Sequence, residues 1–340
     1  MSQKRVGNFS IKFDNPPSII GAATIAGTKE AEGRLASYFD QTLKDERFGE
    51  ESWEKAESKM QKTVLQNAVA KSGLSLNNLD FIFAGDLLNQ CTASHYGIRE
   101  SSRPFLGLYG ACSTMAESLL IGAMTIDGGF ADHVACMTSS HFCGAEKQFR
   151  LPLEYGGQRS PTAQWTVTGA GCAILAAQGD GPYITGITPG RIVDMGISDA
   201  SNMGAAMAPA AYDTISNHLA DNNLSPDYYD LIITGDLALI GSKIVRDMFF
   251  KDGIDLSSHY NDCGNIIFFN EEQDTHAGGS GCGCSAVVFC SYLLEKMKQG
   301  EINRLLFIGT GALQSPGALT QGESIPGIAH AVSVQRSLLS

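Results

Sequence analysis

Phe105-Leu-Gly-Leu-Tyr-Gly110-Ala-Cys-Ser-Thr-Met115-Ala-Glu-Ser-Leu-Leu120-Ile-Gly-Ala-Met-Thr125-Ile-Asp127 changes character at its sixth residue. An extended run ends in a tight Gly110-Ala111-Cys112 turn, and the helix that follows has Glu117 as its single charge before Asp127. A helix apolar on nearly every side belongs inside a protein. The turn should lift the Cys112 sulfur to the helix N-terminus, where unpaired N–H groups and the positive end of the dipole favour a thiolate or a bound anion. Cys112 is therefore a nucleophile, part of an anion cradle, or a small buried apolar residue of the kind most free cysteines are.

Outward from this turn, the totals bound the class. Three hundred and forty residues with 43% apolar content can bury a large core and point to two domains or two halves. A net charge of −12 argues against nucleic acid or an anionic lipid surface as a main partner. Any small anionic ligand would need a local cationic pocket set against that background. Nine cysteines without a C-x-x-C pair fit reduced thiols better than a disulfide framework. Met1 to Pro17 has no apolar signal core, and no stretch approaches about 18 uninterrupted apolar residues, so a soluble protein without signal peptide or transmembrane helix is expected.

Ser18 to Ala26 reads as a buried strand, and Ser52 as the cap of a helix running to Gly73, with a second strand at Leu79 to Ala84. The sequence then repeats itself. Leu74 to Leu87 (LSLNNLDFIFAGDL) returns as Leu224 to Leu237 (LSPDYYDLIITGDL), offset by 150, with seven of fourteen positions identical. Cys112, its helix and the strand His133 to Thr138 are echoed by Cys284, Ser285 to Lys298 and the strand Arg304 to Gly309. Each half reads helix, strand, helix, strand, as in a mostly parallel sheet covered by helices on both faces. Two halves, 1–180 and 181–340, are expected to meet near Gly179 to Pro182, with a site between them.

Three further places carry candidate chemistry. His141 follows a strand, at the end where open α/β sheets place ligands, and is an acid, a base, a donor or a structural histidine. Arg150 to Gly171 mixes Arg150, Arg159, Gln164 and Trp165 with turn formers; Arg159 either faces solvent or offers a fork to a carboxylate. Thr275 to Ser285 holds His276, Ser280 and four glycines that permit close backbone approach to a ligand. Cys282 and Cys284 lack zinc-site spacing, so no metal site is expected.

The Cys112 turn on a buried helix, the duplicated halves and the glycine loop before the last helix resemble the thiolase and ketoacyl synthase superfamily over nearly the whole chain. Within it, Ser139–Cys143, Gln148–Gly169 and Asp274–Ser285 are similar to the stage V sporulation protein AD family of spore-forming bacteria. The resemblance implies a thiolase-like α/β fold in αβαβα layers and a homodimer. It implies non-catalytic binding of dipicolinic acid (pyridine-2,6-dicarboxylate), alone or accompanied by calcium, and no resident cofactor. It also implies uptake of the ligand into the developing spore with other stage V sporulation A membrane proteins, and a peripheral place at the spore inner membrane. Cys112, His141, Arg159, Gln164, Trp165, His276 and Ser280 are the residues expected to meet the ligand.

Condensing enzymes of the ketoacyl synthase III type pair the cysteine with a histidine and an asparagine. In this sequence the histidine motif falls at Gly235-Asp236-Leu237-Ala238, without a histidine, and the asparagine falls near Ser280, without an asparagine. Loss of one oxyanion donor alone costs about 10²–10³ in rate. A Cys112-dependent acyltransferase with His276 or His141 as base is the alternative reading.

Overall fold

A helix apolar on nearly every side needs apolar neighbours on most of its surface, and two sheets supply many of them. The computed structural model describes residues 4–149 and 158–338. Its ten core strands are β1 (Ser18–Ala26), β2 (Phe81–Gly85), β3 (Phe105–Gly107), β4 (His133–Ser140), β5 (Gly169–Ala176), β6 (Tyr183–Thr188), β7 (Leu231–Thr234), β8 (Tyr260–Asp262), β9 (Arg304–Ala312) and β10 (Gly327–Gln335). From the centre outward, one array runs β1-β5-β4-β2-β3 and the other β6-β10-β9-β7-β8. The second order is the first advanced by five strands. The arrays join through a single antiparallel pairing, Tyr183 with Ser18.

The matched segments fold alike: a 3-10 turn at Leu76–Asn78 leads into β2, and one at Pro226–Tyr228 into β7. The expectation of mostly parallel sheets needs correction. In each array the two outer pairings are parallel, while β5 and β10 run antiparallel to both neighbours. Each of these two strands follows the preceding core strand without a crossover, and an antiparallel return needs none.

The helices are α1 (Trp53–Lys71), α2 (Thr92–Ile98), α3 (Thr114–Asp127), α4 (Phe142–Phe149), α5 (Met203–Asn222), α6 (Ala238–Lys251), α7 (Cys282–Val288) and α8 (Leu294–Gln299), the last two joined by a π turn. Ser52 caps α1 by accepting from the Lys55 N–H at 3.2 Å. Strand alternation sorts the core into three layers of contact. Ile82, Ala135 and Met137 face Met60 and Val64 of α1. Phe83, Val134 and Cys136 face Met115 and Leu119 of α3 together with Val287 and Val288 of α7. Leu306 and Ile308 face Met207 and Ala211 of α5. These are the αβαβα layers. Gly122 lets α3 lie against β4, since a Cβ there would stand 2.5 Å from the Cys136 sulfur.

Glu30 is buried just beside this core. Its Oε1 accepts from the Thr168 N–H at 3.1 Å, while its Oε2 and the Oε2 of Glu46 are both buried without a donor. Burial first, then the Glu46 charge, pushes the Glu30 carboxyl up to about 8. The folded chain thus keeps a proton that the unfolded chain releases at its ordinary carboxyl value. Stability from this residue falls as pH rises from about 4.5 toward about 8. Glu30→Gln supplies a permanently neutral head, so its melting temperature relative to the parent should climb between pH 5 and pH 8 in thermal melts. A constant difference would contradict the assignment.

Candidate functional site

After β3 the Leu108 N–H donates to Ala84 O at 2.8 Å, and the chain turns at Gly110. Ala111 sits at φ +50°, a left-handed conformation costing roughly 1–2 kcal/mol outside glycine. A 3-10 turn over Ala111–Ser113 then leads into α3, and the Ser113 hydroxyl donates to Gly110 O at 2.6 Å. The turn rests on β9 where Gly311 leaves room: a Cβ there would approach Gly110 O to 2.5 Å. Cys112 is half-buried.

Its side chain lines a cavity of about 390 Å³, within the usual range for a small-molecule pocket. Leu87, Ala145, Met203, Met207, Ala312 and Leu313 form apolar wall; Asn89, Gln90, Tyr109, Thr166, Gln314 and Ser315 bring amides and hydroxyls. Asp236 and Ser280 line it too. Cys112, Ser280 and Asp236 of the 235–238 stretch are therefore brought together on one wall. The expected cationic pocket needs correction: among the described residues no lysine, arginine or histidine lines the cavity. Burial, together with the thiols of Cys112, Cys282 and Cys91, pushes the Tyr109 phenol up to about 12.

Asp236 is wholly buried. Its carboxylate accepts from the Thr310 hydroxyl at 2.7 Å and from the Gly281 N–H at 2.9 Å. Gly281 has φ +92°, and a Cβ there would meet Ser140 Oγ at 2.8 Å, so only glycine brings this N–H to the carboxylate. Behind it, Asp262 accepts from the N–H groups of Leu237, Ala238 and Gly264 and from the Thr234 hydroxyl. Burial pushes Asp262 up to about 7 against the pull of those donors.

The other expected residues stand elsewhere. His141 is buried, and its Nε2 donates to Glu46 O at 2.7 Å; burial lowers its pKa. The Arg159 guanidinium donates to the carbonyls of Gln164 and Asp274 and lies 4.9 Å over the Trp165 ring. Trp165 stacks on Phe142 at 3.8 Å, with the Lys29 ammonium 4.1 Å from its centroid. Gln164 is buried and donates to Asp236 O. His276 Nδ1 lies 2.6 Å from Ser160 O, and its Nε2 3.1 Å from Asp274. Arg159, Gln164, Trp165 and His276 are thus brought together around the Trp165–Thr166 strand, which pairs in parallel with Gly279–Ser280. Thr166 faces the cavity, and Trp165, one residue earlier, faces away from it. Arg150 lies outside the described residues.

Sequence reasoning passed over Asn89, Gln90 and Cys91, Met203 and Met207, and the 312–316 segment. The repeat held a signal for the first group, because it equates Asp86, just before that turn, with Asp236. Thr310→Val removes the hydroxyl that donates to Asp236 and should cost about 1–3 kcal/mol, seen as a lower urea midpoint with an unchanged slope. An unchanged midpoint would mean that the hydroxyl is dispensable.

A family model described as Stage V sporulation protein AD (SpoVAD) matches residues 7–335. The Stage V sporulation protein AD of Bacillus subtilis (strain 168) is 42% identical over 334 residues, covering 98% of each chain. Among solved structures, 3-oxoacyl-[acyl-carrier-protein] synthase III of Aquifex aeolicus is 13% identical with a TM-score of 0.57, covering 94% of this chain and 99% of its own. Xanthomonas campestris OleA is 12% identical with a TM-score of 0.61, covering 95% and 99%. At such identities these two establish the thiolase-like fold alone.

Proposed function

The chain belongs to the stage V sporulation protein AD family, and from that premise we propose that it binds dipicolinic acid without catalysis and serves its uptake into the developing spore. The observation that carries this reading is the cavity itself, which Cys112, Asp236 and Ser280 line and no histidine lines among the described residues. Without an imidazole beside Cys112, a developing enolate or oxyanion loses one of the donors a condensing enzyme gives it. What the wall offers instead suits a flat ring with polar edges: Leu87, Met207 and Leu313 against the ring, and Gln90, Gln314, Ser315 and Ser280 toward carboxylates.

Asp236 is the single formally charged side chain on that wall among the described residues. Calcium enters the proposal for that reason. A hard cation takes carboxylate and amide oxygens, and a metal carried on the ligand's carboxylates would offset their charge beside Asp236. Among the described residues no helix is long and apolar enough to cross a membrane, so we assign membrane contact to other stage V sporulation A proteins, with the chain peripheral at the spore inner membrane. A homodimer completes the proposal by likeness to the superfamily.

Calorimetric titration with dipicolinate should show saturable binding, and pyridine-2-carboxylate, lacking one carboxylate, should bind at least about tenfold more weakly, a difference of about 1.4 kcal/mol. Equimolar calcium should leave the stoichiometry unchanged and the affinity undiminished. Absence of saturable binding would sink the reading for the isolated chain.

The half-buried Cys112 on a strained turn favours a second reading, acyl transfer from an acyl thioester. His141 and His276 do not line the cavity, so neither expected imidazole base stands beside Cys112, and intact-mass measurement after incubation with acyl-CoA should find no adduct. A stoichiometric acyl-Cys112 species would reverse the ranking.

A further inference from the structure

Beneath the cavity runs a buried polar chain that the ligand reading leaves unused. Glu57 and Gln61 lie one turn apart on α1, and Asp86 follows β2. The Gln61 amide nitrogen donates to Ser139 Oγ at 2.8 Å, to Ser94 Oγ at 2.9 Å and to Gly85 O at 3.2 Å. The Ser139 hydroxyl donates onward to Glu57 Oε1 at 2.7 Å, and the Ser94 hydroxyl to Asp86 Oδ2 at 2.6 Å. Every bond runs from the amide outward, so the chain ends on a carboxylate at each side. Neither carboxylate has an ion pair among the described residues. The Gln61 side-chain oxygen, on a residue with no exposed surface, is buried without a donor.

One proton resolves all of this. Asp86 also accepts from the N–H groups of Ser94 at 2.8 Å and Leu88 at 2.9 Å, and three donors mark it as the ionised member. Glu57 shares the Ser139 hydroxyl with Gln61 and sits at i, i+4 from it, the spacing at which helix side chains meet. The charges around Glu57 are Asp86 and Glu54, the latter paired with Lys147 of α4 at 3.2 Å. The Cys282 thiol of α7 donates to Ser139 O at 2.9 Å, and Cys91 and Tyr109 stand near Asp86. None of these supplies a cation to Glu57 itself.

We infer that Glu57 is a positioning residue for the cavity: held as the neutral acid, it donates its O–H to Gln61 and leaves Asp86 ionised to clamp the turn that brings Asn89, Gln90 and Cys91 to the wall. That turn needs a clamp, because Gln90 and Cys91 sit in succession at φ +59° and +51°, conformations that persist only where the surroundings hold them. Ionising Glu57 places two carboxylates on one buried chain with no cation and loosens the turn. Burial, then the Asp86 charge, raises the Glu57 pKa well above the ordinary carboxyl range, in keeping with the geometry. The step from wall to ligand rests on the dicarboxylate reading; the position of the proton does not.

Glu57→Gln keeps a neutral head and an N–H donor for Gln61, and so separates the two. Because the folded chain holds a proton that the unfolded chain has released, parental stability should fall relative to E57Q as pH rises above the ordinary carboxyl value of about 4.5. Dipicolinate affinity of the parent should weaken at least about tenfold as pH passes the raised folded-state value while E57Q stays level, and Glu57→Ala should bind poorly at every pH. Parallel pH slopes for parent and E57Q in melts and titrations would overturn the inference. Failure of E57Q to fold would also overturn it, since the neutral isostere copies the inferred native form. If no variant bound dipicolinate, the melts alone would decide the proton, and the ligand reading would be what had failed.

Discussion

Helix α3 is buried on all but one edge, where Met124 is exposed and Glu117, Ile121 and Thr125 are half-buried, and that burial organises the molecule. Met115, Leu119 and Ala123 pack with Val287, Val288 and Phe289 and with the inner faces of both sheets. Fully burying one such side chain contributes about 1.5–3 kcal/mol, so the helix cannot leave this layer. Its N-terminus is fixed by the same packing, and the Cys112 turn is fixed with it. Gly311 on β9 then seats the turn against the second array, which is how one wall of the cavity comes from each half.

The second organising feature is a set of buried acids held by backbone N–H groups and hydroxyls. Asp236 and Asp262 each spend their charge on backbone N–H groups and hydroxyls, and both hold the turn after β7. Asp86 does the same for the turn after β2. These are the two turns that the internal repeat equates, and both supply cavity wall. A carboxylate that fixes a loop through several N–H donors is stiffer than a hydroxyl or amide in that place, because each charge-assisted bond is about twice as strong as a neutral one. The cost is charge: a chain already at −12 gathers more negative potential around its pocket, and ligand and protein must share protons or cations to meet there.

Much of the fold was legible in the sequence. Ser18–Ala26 is a strand with those bounds, Ser52 caps α1, and the Leu74/Leu224 repeat marks equivalent turns and strands, because local propensity and tertiary burial agree there. The antiparallel course of β5 and β10 was not legible, since strand direction follows from connections across the fold and not from residues within the strand. For the site, Cys112, Ser280 and Asp236, which belongs to the 235–238 stretch singled out in the sequence, line one cavity. Trp165 and Arg159 look like ligand residues by composition, yet a two-residue strand is too short for its alternation to be read, and Thr166 takes the cavity side. Gln90 and Cys91 carry no sequence mark of their left-handed backbone, which is imposed by Asp86 and the packing of α2.

A crystal structure of the protein grown with dipicolinate tests the assignment most directly. The ring should lie in the cavity beside Cys112, with a carboxylate within hydrogen-bonding distance of Ser280 or Gln314. A ligand found instead on the Trp165–Arg159 face, with the cavity holding solvent, would contradict it.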